Sequence, residues 1–282
     1  MIRTRVLAIG SCLTAVALLT GCTPADPTHA SDAATPGEPT PAATASGIPA
    51  IHVELVEEPL LGGKNSRREA YAGLVDACRE AGFAVTPLAS EDVARLGTAR
   101  VRLWFSESVQ VLSREAWDFA KDDGPGLSCH FRVVRTGTHS RSGADGVVET
   151  DLESHEVTRG AADPASLVRE PVSAGDSVMA AMGYQGPVKQ SVAGQPCAQW
   201  TAPDGATLCL WSGGRDWGFA DTVASGGCSP TPLSSYAGAI ALSQSPSDRG
   251  DGCRLRTVRF TVGTPLDEAA MAAPGAVGGG AR

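Results

Sequence analysis

The sequence predicts an α+β fold: a single domain with an antiparallel sheet, a few short helices and up to three disulfides. Three observations carry this. Ala99–Phe105 and Arg254–Val262 alternate apolar and polar residues as half-buried strands do. Gln195–Trp211 contains two strand-like runs around a turn. Ser66–Gly82 has the spacing of a capped amphipathic helix. Strands that come in hairpins, with helices interspersed, point to antiparallel pairing.

The chain begins differently. Arg3 and Arg5 form a basic start, and Val6–Leu19 an apolar run of about 14 residues. That is too short for a helix to cross a hydrocarbon core, which takes ~20. Leu18-Leu19-Thr20-Gly21-Cys22 closes the run and resembles a lipobox, the cleavage and acylation signal of bacterial lipoproteins. The resemblance covers these first residues alone. It implies removal of residues 1–21, diacylation of the Cys22 sulfur and acylation of the new N-terminus. Two or three acyl chains hold a protein on a bilayer where one, at ~0.8 kcal/mol per buried methylene, does not. The implied location is the cell envelope. Thr23 after the cysteine is similar to the pattern of enteric lipoproteins forwarded to the outer membrane, facing the periplasm. In a Gram-positive source the anchor holds the outer face of the cytoplasmic membrane.

Residues 22–50 read as the lipidated cysteine and a disordered linker of Ala, Pro, Thr, Ser and Gly, with six prolines and no aromatic residue. Its span lies between ~30 Å as a coil and ~85 Å as polyproline II.

The folded domain is expected over residues 51–265. Ile51–Val56 suit an opening strand, broken by Gly62-Gly63. Ser66-Arg67-Arg68-Glu69 has the form of a capping box. Tyr71, Leu74, Val75, Cys78 and Ala81 then share one helix face, and Gly82 suits the position after the helix. Phe83–Pro87 suits a short strand and Ser90–Leu96 one or two helical turns. Ser113–Lys121 reads as a short helix ended by Gly124-Pro125-Gly126. Leu127–Arg135 and Val147–Thr158 read as a hairpin joined by a polar loop, Thr136–Gly146. Ser173–Gly183 suits a helix. Ala202-Pro203-Asp204-Gly205 suits a type I turn. Thr264–Ala273 suits a loose helix, and residues 266–282 are expected to form a flexible tail.

Cysteines fit an exported chain. Once Cys12 leaves with the signal and Cys22 carries lipid, Cys78, Cys129, Cys197, Cys209, Cys228 and Cys253 remain. Six cysteines allow three disulfides in 15 connectivities. The hairpin register places Cys197 nearly opposite Cys209, which predicts that one bridge. Loss of Arg3 and Arg5 with the signal moves the net charge from −8 to −10. Such a balance argues against nucleic acid and anionic lipid surfaces as partners.

No catalytic constellation stands out. Gly175-Asp176-Ser177-Val178 resembles the nucleophile block of GDSL-type esterases, but that family needs a downstream histidine, and the last one here is His155. Gly62-Gly63-Lys64 has Glu58 where a P-loop needs glycine. His130, His139 and His155, with Asp145, Asp151 and Glu153, offer ligands for a divalent metal. A solvated acidic face is the commoner arrangement, and no metal or cofactor is assigned. Strand alternation would put Asp151, Glu153 and His155 on one face. Trp211 and Trp217 flank a glycine-rich loop with Arg215 and Asp216, a set able to stack on a sugar ring. Packing around the predicted disulfide competes with that role. The expectation is therefore a non-enzymatic binding or structural domain, held to the membrane by lipid, with an envelope protein or cell-wall component as partner. The alternatives are a hydrolase with a dispersed site, such as His155 with Asp151, and a sugar-binding module using the Trp211–Trp217 loop.

Overall fold

In the computed structural model the described residues are 47–123, 128–162, 171, 176–220 and 238–274. The expected signal, Cys22 and most of the linker lie outside them, as do Gly124-Pro125-Gly126, Gly175, Cys228 and residues 275–282. Ala45–Arg282 makes one compact unit.

Strand β1, Ile51–Leu60, buries alternate residues from Ile51 to Glu57 and so runs beyond the expected Val56. Gly62 and Gly63 then take positive φ and turn the chain into helix α1, Ser66–Glu80. The cap is Asn65 rather than Ser66. Its side chain accepts hydrogen bonds from the amides of Arg67 and Arg68, at 3.1 Å each, which satisfies two otherwise open donors. Tyr71, Val75 and Cys78 are buried, whereas Leu74 and Ala81 are exposed, so the apolar stripe is narrower than expected. Strand β2, Ala84–Thr86, and helix α2, Ser90–Arg95, follow as predicted.

Strand β3 occupies Ala99–Phe105, the predicted bounds. The expected helix over Ser113–Lys121 is instead part of a long strand, β4, Val109–Asp123. It pairs along its whole length with β5, Ser128–Gly143. The polar stretch Thr136–Gly143 is therefore strand and not loop, and only Ala144-Asp145 turn the chain into β6, Gly146–Asp151. The next expected strand also divides, because β6 stops at Asp151 and β7 is Val157–Gly160. Helix α3, Asp176–Ala181, lies within the predicted helix. Strands β8, Gln185–Val192, and β11, Ala241–Ser245, were not expected. Strands β9, Gln195–Thr201, and β10, Thr207–Trp211, form the predicted hairpin. Its turn is closed by a 3.0 Å bond from the Gly205 amide to the Ala202 carbonyl, and Gly205 takes φ +84°. Strand β12, Gly252–Val262, completes the set.

These strands form one sheet in the order β7-β6-β5-β4-β3-β1-β12-β11-β10-β9-β8, antiparallel throughout that path, with β2 added parallel to β5. The first and last strands thus pair at its centre. On one face, Ile51, Val53, Leu55, Val101, Leu103 and Phe105 join Trp211, Phe219, Ile240 and Leu255 in the main core. Helix α1 packs on the outer part of β4 and β5 through Tyr71, Val75, Phe119 and Phe131. Helix α3 sets Met179 against Trp200, Leu208 and Leu210. Residues 264–274 form turns rather than a helix. They pack Leu266, Ala270 and Met271 against Trp104, Val109 and Val111, so the ordered packing passes the expected boundary at Pro265.

Two disulfides are described. Cys197–Cys209 is the predicted bridge. Cys197 pairs with Trp211 and Cys209 with Gln199, so the two cysteines are diagonal neighbours with Cα atoms 5.5 Å apart. Cys78–Cys129 ties α1 to β5. Cys253 is disulfide-bonded as well, with its partner outside the described residues.

Candidate functional site

The sheet face opposite the main core carries a polar band. Side chains that pair across strands share a face, and the register aligns Arg259, Glu54, Arg102, Ser113, His139 and Thr150 in one row across six strands. One neighbouring row holds Thr261, His52, Trp104, Val111, Arg141 and Val148. The other holds Arg256, Val56, Arg100 and Glu115, and reaches Gly137 on β5. Glycine is needed there: Gly137 takes φ +130°, and a Cβ would lie 2.0 Å from the Arg114 carbonyl oxygen.

Much of this band is buried. Ser113 is 1 % exposed and His139 4 %. Ser113 Oγ, His139 Nδ1, Arg102 Nε and His52 Nε2 are buried polar atoms without a hydrogen-bond partner. Such groups are costly unless a partner, ordered water included, satisfies them. The glutamates of the face are engaged. Glu58 meets Arg68 at 3.0 Å and Arg254 at 3.1 Å, and Glu54 meets Arg100 at 2.8 Å. Glu115 meets Arg135 at 3.3 Å and Arg102 at 3.9 Å. Arg141 reaches Glu268 on the C-terminal segment at 3.0 Å.

Protonation is disfavoured at both histidines of the band. Burial, then Arg102 and Arg141, push His139 down to about 4. Burial, then Arg259, lower His52, partly opposed by Glu54. The His52 ring stacks on Trp104 with centroids 4.9 Å apart and planes 8° apart, and the Arg102 guanidinium lies 5.6 Å from the Trp104 centroid. A cavity of about 130 Å³ opens between this corner and the C-terminal segment, lined by His52, Arg259, Thr261 and Asp267.

The structure separates the sequence-predicted candidates. His139 lies in the buried row, whereas His130 and His155 are exposed. Asp151, Glu153 and His155 do not share a strand face, because the strand ends at Asp151. The Asp151 carboxylate instead accepts from the amides of Glu153 and Ser154 and from the Ser154 hydroxyl, as in an Asx-turn. The Ser154 amide bond, followed by its hydroxyl bond, holds Asp151 below the ordinary carboxylate range. Ser113 and His139 are cross-strand partners, yet no hydrogen bond joins them. Among the described residues no three His, Cys, Asp or Glu side chains stand together to hold a metal ion.

The Trp211–Trp217 loop is mainly packing. Trp211 is 1 % exposed and contacts Trp217, Phe219 and Phe260, with its indole NH donating to Gln195 at 3.3 Å. It presents no face to a sugar. Arg215, Asp216 and Trp217 form a single 3-10 turn, with Trp217 half-buried on the core. The polar band escapes a reading of the sequence because its members come from six strands, and only the register brings them together. A scan of the chain against protein families finds no match, and neither does a search of curated proteins.

Proposed function

We propose that this chain is a lipid-anchored protein of a bacterial cell envelope, which presents a disulfide-stapled, non-enzymatic binding domain outside the cytoplasm, facing the periplasm from an outer membrane or standing on the outer face of a cytoplasmic membrane. The observation that carries the reading is the fate of the cysteines. Cys78, Cys129, Cys197, Cys209 and Cys253 are all in disulfides, as suits an oxidising compartment. Cys22, placed after Leu18-Leu19-Thr20-Gly21, then has the lipobox as its reason to be there. In this reading the acyl chains on Cys22 supply the membrane attachment. The binding role rests on the polar band, which gathers arginines, histidines and a serine from several strands on one face of the sheet.

The test is fractionation of cells that produce the full chain or its Cys22→Ser variant. The wild type should pellet with membranes, and the variant should move to the soluble fraction. A variant that stays with the membrane would remove the anchor reading.

A further inference from the structure

The proposed binding role leaves the partner's chemistry open, and the polar band narrows it. On a chain of net charge −8, this one face carries more guanidinium than carboxylate. Its glutamates, Glu54, Glu58 and Glu115, are all committed to Arg68, Arg100, Arg102, Arg135 and Arg254. Arg256 and Arg259, on the central strand β12, are exposed and have neither an ion pair nor a hydrogen bond. Both lie on the band face, since they pair with Val56 and Glu54 across the same edge of β1.

Spacing argues for an extended ligand. In the order β5-β4-β3-β1-β12, arginines stand on β5, β3 and β12 and alternate with the glutamate-bearing strands β4 and β1. Strands lie about 4.8 Å apart, so the three arginine columns repeat at about 10 Å and span about 19 Å. A single small anion would meet one column. Guanidinium forks match phosphate and carboxylate oxygens in planar, paired hydrogen bonds. The adjoining cavity, at about 130 Å³ and with Asp267 in its wall, is too small and too mixed in charge for a larger compact anion.

We infer that this sheet face binds an extended polyanion, a flexible chain bearing repeated phosphate or carboxylate groups, across β12, β3 and β5. The inference rests on the binding role proposed above but not on the anchor.

The full chain, purified in detergent, should be titrated against long-chain inorganic polyphosphate and against poly-glutamate over a range of KCl concentrations. At low salt the protein should bind one of the two, which names phosphate or carboxylate as the preferred group. The logarithm of the affinity should fall linearly with the logarithm of salt, as release of counterions requires. Arg256→Glu with Arg259→Glu should weaken binding at least tenfold and lower the salt slope by about two. Lys189→Glu with Arg249→Glu, an equal change of charge at exposed sites elsewhere, should leave the affinity within twofold. The proposal is overturned if neither polymer binds, if the two pairs of substitutions act alike, or if orthophosphate at the same phosphate concentration displaces the polymer. Because no membrane is present, these outcomes leave the Cys22 test untouched.

Discussion

Replacing Cys78 and Cys129 together by Ala should lower the unfolding free energy by about 4 kcal/mol in the chain-entropy account, the largest effect expected of any bridge described here. The reason is loop length. The bridge closes a separation of 51 residues, against 12 for Cys197–Cys209, whose removal should cost about 3 kcal/mol. Cys78 also holds α1 on β5, where Tyr71 meets Phe119 and Phe131 edge to face. Loosening the bridge therefore exposes a cluster that the rest of the sheet does not cover. Urea unfolding of the two double variants and the wild type measures the order. Equal losses, or a larger loss for the shorter loop, would mean that local packing and not chain entropy sets the contribution.

The second large effect is on stability against pH. Folded His139 has a pKa of about 4, against an ordinary value of 6.5, because it is buried and faces Arg102 and Arg141. Between those values the unfolded chain takes up a proton that the folded one refuses. Stability therefore falls as pH drops from 6.5 to 4, and this group has no effect above 6.5. At about 1.4 kcal/mol per pH unit the loss is on the order of 3 kcal/mol. Unfolding measured at pH 7 and pH 4.5, for the wild type and for His139→Gln, isolates the contribution. The wild type should lose more stability than the variant by that amount. Parallel behaviour would show that His139 takes up a proton in the folded state as readily as in the unfolded one.

The same residues explain which parts of the fold were legible. Val101, Leu103 and Phe105 alternate cleanly with polar neighbours, so β3 was read with its true bounds. Pro203 and Gly205 fix a turn by local chemistry, so the hairpin and its bridge could be placed as well. Strand β4 was misread because its buried residues include Ser113 and Glu115, on the face opposite the main core. A polar residue at a buried position breaks the alternation that identifies a strand, and Trp117 with Lys121 then mimics helical spacing. Strand β5 fails in the same way at His139, where the chain looks like a polar loop. The band that forms the candidate site is thus also what concealed its strands. Strand β8 is almost wholly exposed and gives no burial pattern at all. The sequence did contain the arginines, but nothing local distinguishes Arg256 or Arg259 from solvated surface. Their significance comes from the pairing of β12 with β1, between chain positions some two hundred residues apart.

Net charge and the field of one face are separate quantities. A value of −8 describes the chain as a whole, whereas recognition responds to the field of one face.

Anchoring through Cys22 is the central claim, and the mass of the N-terminal peptide tests it most directly. Protein extracted from cell membranes with detergent and digested should yield a first peptide that begins at Cys22 and carries the mass of a diacylglyceryl group, with a further acyl chain where the N-terminus is modified. A first peptide that begins at any other residue, or one that contains Cys22 as an unmodified thiol, would contradict the account.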